Sequence, residues 1–216
     1  VLFGACIINA AVVLNVDCQK GNDTAACTAS PQLQPCKTIL WAVQQSPVAE
    51  AVTFVITGPC VLPALTVTSR AVAFVGAEPQ TVLACESRGL TLRGSATLLS
   101  NLRVERCRSP NQGSAVIAVV GSLRIESCVF FNNSAAASGG VMLASDVALF
   151  LTNTQFIGNA AGSIGGALAV QISATAPLAA RTLVAVDCLF QSNALRPIPS
   201  TTLAASGTAW YISALA

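Results

Sequence analysis

Between residues 122 and 170 one pattern of apolar and polar positions is written twice. SLRIESCVFFNNSAAASGGVMLAS is followed by ALFLTNTQFIGNAAGSIGGALAV. Each copy alternates apolar with polar residues, passes through Phe-x-x-Asn, runs through small residues to Gly-Gly, and re-enters an apolar segment. Phe130 and Asn133 open the first loop and Gly139-Gly140 close it; Phe156, Asn159, Gly165 and Gly166 do the same in the second. Period-two alternation predicts strands rather than helices. A supersecondary unit recurring at a period in the twenties predicts a solenoid.

The pattern continues in both directions. Asn101-Leu-Arg-Val-Glu-Arg-Cys107 nearly matches Ser122-Leu-Arg-Ile-Glu-Ser-Cys128, which suggests that Cys107 and Cys128 stand one rung apart. Val184 to Asn193 repeats the strand, a cysteine (Cys188) and the Phe190-x-x-Asn193 motif. The interval from Phe130 to Phe156 is shorter than that from Phe156 to Phe190, so loop lengths vary while strands persist. The expected fold is all-β: a right-handed, single-stranded parallel β-helix with rungs about 4.8 Å apart. Gly166 is expected at a tight corner, through positive φ or a close backbone approach.

Upstream, residues 5–16 read as an apolar strand, followed by a polar loop around Asp17-Cys-Gln-Lys-Gly-Asn-Asp-Thr24. Pro35 to Val43 predicts a short amphipathic helix with Ile39, Leu40 and Val43 on one face and Pro47 as the stop. Coils are expected from Ala51, with apolar stretches at 52–56, 65–67, 72–75, 82–84, 90–92 and 98–99 separated by glycine corners. The organisation expected is a cysteine-rich cap over 1–50 and coils over 51–216, with loops at 171–181 and 194–207 and a strand at Trp210-Tyr-Ile212. The last rung is expected to continue or to dock beyond the C-terminus.

Phe-x-x-Asn alternating with Gly-Gly-Ala-Leu over roughly residues 100 to 195 resembles the repeat of chlamydial polymorphic outer-membrane proteins and of β-helix proteins from algae and other protists. That resemblance implies a β-helix on a cell surface, used for adhesion or assembly. The Gly-Asn-Asp loop followed by Pro-x-Lys-Thr-Ile is similar to the first coil of pectin-lyase-like β-helices, which implies a helix plugging the end of the bore. A solenoid needs such a cap because its first rung otherwise exposes apolar interior and an unpaired edge.

Hydrophobic residues make up 53% of the chain and charged residues 9%, so exposed apolar surface meant for a partner is expected beyond what a dry bore explains. A net charge of +2 gives no electrostatic case for nucleic acid, and no apolar run has the length of a membrane span. Nine cysteines predict an oxidising compartment reached by a secretory route. Two sequons, at Asn22 and Asn132, are glycosylation candidates.

Cys6, Cys18, Cys27 and Cys36 are disulfide candidates because their loops lack a core, and Cys60 and Cys85 are placed to bridge adjacent coils. Cys107, Cys128 and Cys188 read as a column of buried thiols. Asn133, Asn159 and Asn193 read as an internal amide ladder at left-handed corners, and Phe130, Phe156 and Phe190 as an aromatic column. Glu105 and Glu126, taken as one rung apart on the outer face beside Arg103 and Arg124, could form a carboxylate pair, but compensating surface charges are the plainer reading. Histidine is absent and the aspartates are scattered, so no metal, cofactor or catalytic residue is expected. The expectation is a non-enzymatic extracellular module binding other protein chains, with glycans as a second class of ligand. A polysaccharide lyase or hydrolase is the alternative.

Overall fold

A computed structural model describes residues 12–29, 34–47, 50–68, 70–195 and 210–214. The chain begins with β1 (Val12–Asp17), α1 (Ala25–Ala29) and α2 (Ile39–Gln45). Short strands follow: β2 (Val52–Thr57), β3 (Cys60–Leu62), β4 (Leu65–Thr68), β5 (Val72–Gly76) and β6 (Thr81–Cys85). The central coils contain β7 (Leu90–Ser100), β8 (Leu102–Glu105), β9 (Arg108–Ser109), β10 (Val116–Glu126), β11 (Val129–Phe131), β12 (Ser134–Ala135), β13 (Met142–Thr152), β14 (Gln155–Ile157) and β15 (Ala160–Ala161). Next come β16 (Leu168–Ile172), a 3-10 turn at Leu178–Arg181, β17 (Leu183–Val186), β18 (Leu189–Gln191), β19 (Ala194–Leu195) and β20 (Trp210–Ala214).

These strands stack into three parallel sheets, which makes the protein an all-β parallel solenoid. Sheet A runs β1-β2-β5-β7-β10-β13-β16-β20, with β4 below the first half of β7 and β17 above the second half of β13. Sheet B stacks β3, β6, β8, β11, β14 and β18, and sheet C stacks β9, β12, β15 and β19. Alternation dictates which side faces in. In β2, Val52, Phe54 and Ile56 are buried and Thr53 and Val55 are half-buried. Phe54 stacks on Phe74 at 5.1 Å between ring centroids.

From Leu90 to Leu168 the repeat is regular. Leu90, Val116, Met142 and Leu168 are successive register partners, spaced by the same interval of 26 that separates Asn133 from Asn159. Each coil turns on single residues in left-handed geometry, and these also stack. Gln80, Asn101, Ser127, Asn153 and Asp187 form the corner between sheets A and B; Arg106, Asn132, Gly158 and Ser192 form the one between B and C. One αL residue changes chain direction without consuming a loop, which keeps the coil short.

That register corrects two expectations and narrows a third. The step equating Leu102–Cys107 with Leu123–Cys128 is not a rung: Leu102–Glu105 belongs to sheet B, while Leu123 to Glu126 closes a strand of sheet A. The two segments match because each runs through strand residues to an αL residue (Arg106 or Ser127) and then a cysteine. Even the sulfur positions agree: Cys107 Sγ faces Glu105 O and Cys128 Sγ faces Glu126 O. Secondly, Asn132 and Ser192, not Asn133 and Asn193, occupy the left-handed corners. Thirdly, positive φ falls on Gly139 and Gly165 rather than Gly166. Gly166 contributes instead through its carbonyl: a Cβ on Gly140 would lie 1.9 Å from Gly166 O and 2.5 Å from Ala160 O.

The N-terminal cap joins the same stack, since β1 pairs with β2 from Val12↔Val52 to Asp17↔Thr57. Thr38 caps α2, its Oγ1 accepting from Trp41 N at 3.2 Å. The Asp23 carboxylate accepts from Lys37 N, Thr38 N and Thr38 Oγ1, tying the polar loop to the helix start. Ile39, Ala42 and Val43 are buried, and Leu40, expected on that face, is exposed. Ala42 takes its place because buried positions three and four apart share one face. Arg70 donates to Ser46 Oγ, Pro47 O and Val43 O, closing the helix C-terminus.

Candidate functional site

The repeat motifs build the interior. Asn133 is 1% exposed, accepts from Cys107 N at 2.9 Å and donates Nδ2 to Val104 O at 3.1 Å. Asn159 Oδ1 accepts from Asn133 N and Asn133 Nδ2, and Asn159 Nδ2 donates to Phe130 O. Asn193 repeats the arrangement above it, accepting from Asn159 N and Nδ2 and donating to Phe156 O. Each carboxamide thus satisfies backbone groups of the coil beneath it, as buried polar groups require. Beside this ladder Phe130, Phe156 and Phe190 stack at 5.2 and 4.7 Å. No face of either column is available as a ligand platform in the buried coils.

The same register reassigns the cysteines. Cys107 stands in the asparagine column, one rung below Asn133, and is bonded to Cys85 rather than held as a free thiol. Cys85 has Leu62 as its register partner and Cys60 has Leu83, so those two cysteines do not bridge each other. Cys60 instead closes on Cys18, and Cys27 pairs with Cys36. Cys128 shares its rung position with Thr154 and Cys188, flanking the register pairs Val129↔Gln155↔Leu189. Burial pushes the Cys128 thiol up to about 12, which disfavours the thiolate near neutral pH. Cys188 is half-buried, and Cys6 lies outside the described residues. The three disulfides among the described residues fit an oxidising environment.

Glu105 and Glu126 are not a pair. Glu105 sits in sheet B opposite Phe131, and Glu126 sits in sheet A opposite Ser100 and Thr152. Glu105 is buried and bonded to Arg103 Nε at 2.8 Å and Arg106 Nη2 at 2.6 Å. Its hydrogen bond from Arg103, helped by Arg106, holds its carboxyl below the ordinary range against the opposing effect of burial. Arg103 also lies 4.5 Å over the Phe131 ring. Glu126 bonds Arg124 within its own strand. The charges therefore compensate between near neighbours along the chain rather than in a ladder between rungs.

The outer surface of the second half of sheet A has a different character. Register runs Val55↔Val75↔Ser100↔Glu126↔Thr152↔Val186 and, beside it, Thr53↔Ala73↔Leu98↔Arg124↔Phe150↔Val184. Val55, Val75, Leu98, Phe150 and Val184 are half-buried on this flank and Val186 is exposed. The loop after β16 packs against β13 and β10, with Ser173 N and Oγ donating to Asp146 and Ala176 and Ala180 buried. Its Leu178 is 83% exposed. Of the second expected loop, 194–207, Ala194–Leu195 instead form β19 of sheet C, and the rest lies outside the described residues.

Asn22 and Asn132 both have exposed side chains. Among the described residues no group of three or more histidine, cysteine or acidic side chains is arranged to hold a metal, and no helix is long and apolar enough to cross a membrane. No protein-family model, curated protein or solved structure matches the chain.

Proposed function

We propose that this protein is a non-enzymatic extracellular module whose rod of coils associates side by side with other protein chains in a cell-surface assembly. The observation that carries the reading is the apolar outer flank of sheet A. Apolar side chains recur there on β2, β5, β7, β13 and β17, interrupted on β10 by Arg124 and Glu126, and a partner laid along the flank would cover them. The disulfides support an extracellular setting, and the interior ladders supply the stiffness a structural module needs. The repeat's resemblance to surface β-helices agrees with this role.

A polysaccharide-cleaving enzyme gains no support from the acids that could serve it. Glu105 is buried between two arginines, and Glu126 lies in another sheet. Light scattering on the secreted chain tests the proposal. Concentration-dependent association is expected, and Phe150→Lys combined with Leu98→Lys should abolish it while leaving the circular-dichroism spectrum unchanged. A wild-type chain that stays a monodisperse monomer at high concentration would overturn the reading.

A further inference from the structure

We propose that Asn132 carries an N-linked glycan, which projects from the corner between sheets B and C and keeps that edge of the rod open to solvent. Two adjacent asparagines, Asn132 and Asn133, precede Ser134, and the fold separates their chemistry completely. The Asn133 side chain is buried and its oxygen and nitrogen are both engaged in the ladder. Asn132 is the left-handed corner residue, φ 52°, and its side chain is exposed. It is also the asparagine with a hydroxyl residue, Ser134, two positions on, the spacing an acceptor site requires.

The corner is rigid where it must be and roomy where a glycan would leave. Asn132 N donates to Ile157 O at 3.1 Å, so the backbone is anchored to the coil above. The next residue in this corner column is Gly158, where an added Cβ would meet nothing within 4 Å. The space above the Asn132 side chain is therefore clear of the one neighbour that stacking would otherwise place there. The corner itself does not demand asparagine, since Arg106, Gly158 and Ser192 fill the same position in other coils.

The co-reactant is a polyprenyl-diphosphate-linked oligosaccharide supplied by the secretory transferase. Asn132 Nδ2 attacks the anomeric carbon and loses one proton to the transferase. The anomeric C–O bond to the diphosphate breaks, and the lipid diphosphate leaves with that electron pair. In the assembly reading, on which only this consequence rests, a glycan at the B–C corner directs lateral contacts to the outer face of sheet A.

Peptide mapping of the full chain secreted from a eukaryotic host decides the matter. The peptide holding Asn132 should appear as a glycopeptide, and peptide-N-glycosidase should release the sugar with conversion of that asparagine to aspartate. Ser134→Ala should lose one glycan's mass without touching Asn132 or Asn133. If that variant is not secreted, the wild-type map stands alone as the test. An unmodified Asn132 peptide in folded, secreted protein overturns the proposal and leaves the sheet A association test unaffected.

Discussion

The N-terminal coils and the central coils of this rod are held together by different means. In the centre one motif recurs on successive rungs, so like side chains meet and propagate a buried amide ladder and a phenylalanine stack. Near the N-terminus the rungs are irregular: Val12 pairs with Val52, and Val52 with Val72. These rungs lack the Phe-x-x-Asn motif, whose ladder elsewhere crosses even the longer step from Asn159 to Asn193, and that end is fastened instead by Cys18–Cys60, Cys27–Cys36 and the Asp23-anchored helix. The third disulfide, Cys85–Cys107, stands where the two regimes meet, with Cys107 in the foot position of the asparagine column. Where the Phe-x-x-Asn motif recurs, side-chain hydrogen bonds link the rungs; where it is absent, disulfides do.

The largest effect that would break this contrast is predicted at Asn159. Asn159→Ala removes the acceptor of Asn133 N and the donor to Phe130 O inside the bore. With unsatisfied buried groups costing about 1–3 kcal/mol each and a cavity added, the loss should reach about 5 kcal/mol in thermal or urea unfolding. Next comes Cys18→Ser with Cys60→Ser. A link across a sequence separation of 42 contributes about 4 kcal/mol on chain-entropy grounds. Hydrogen exchange should show the loss concentrated in β1 to β3, with the central coils still protected.

The smallest effect sharpens the comparison through pH. Glu105 is held below its ordinary pKa when folded, so its stabilisation is complete above the free glutamate value of about 4.3. It fades as pH falls through that value toward the folded one, when protonation weakens the links to Arg103 and Arg106. Melting temperature in acid should therefore drop more steeply for wild type than for Glu105→Gln. Parallel acid profiles for the two would show that the arginine clamp does not stabilise the fold.

Strand type, the solenoid and the Phe-x-x-Asn interior were legible in the sequence because alternation and repeated motifs report directly on which side faces the bore. Strand segments such as 52–56 and 72–75 lie inside β2 and β5 for the same reason. Register was less legible. The resemblance of Leu102–Cys107 to Leu123–Cys128 records identical local geometry, a strand ending in an αL corner, which two different sheets use alike. Carrying the Phe130-to-Phe156 step backwards would have placed Val104 under Phe130 and Cys107 under Asn133. Disulfide partners were hidden for a related reason, since Cys18 reaches Cys60 only through rungs of unequal length.

Cross-linking reads out the register of the central coils. Glu126 and Thr152 are register partners on the outer face of sheet A, whereas Glu105 lies in sheet B. Glu126→Cys with Thr152→Cys should form an intramolecular disulfide under mild oxidation, identified by peptide mass mapping, while Glu105→Cys with Glu126→Cys should not. A bond in the second pair and none in the first would contradict the account.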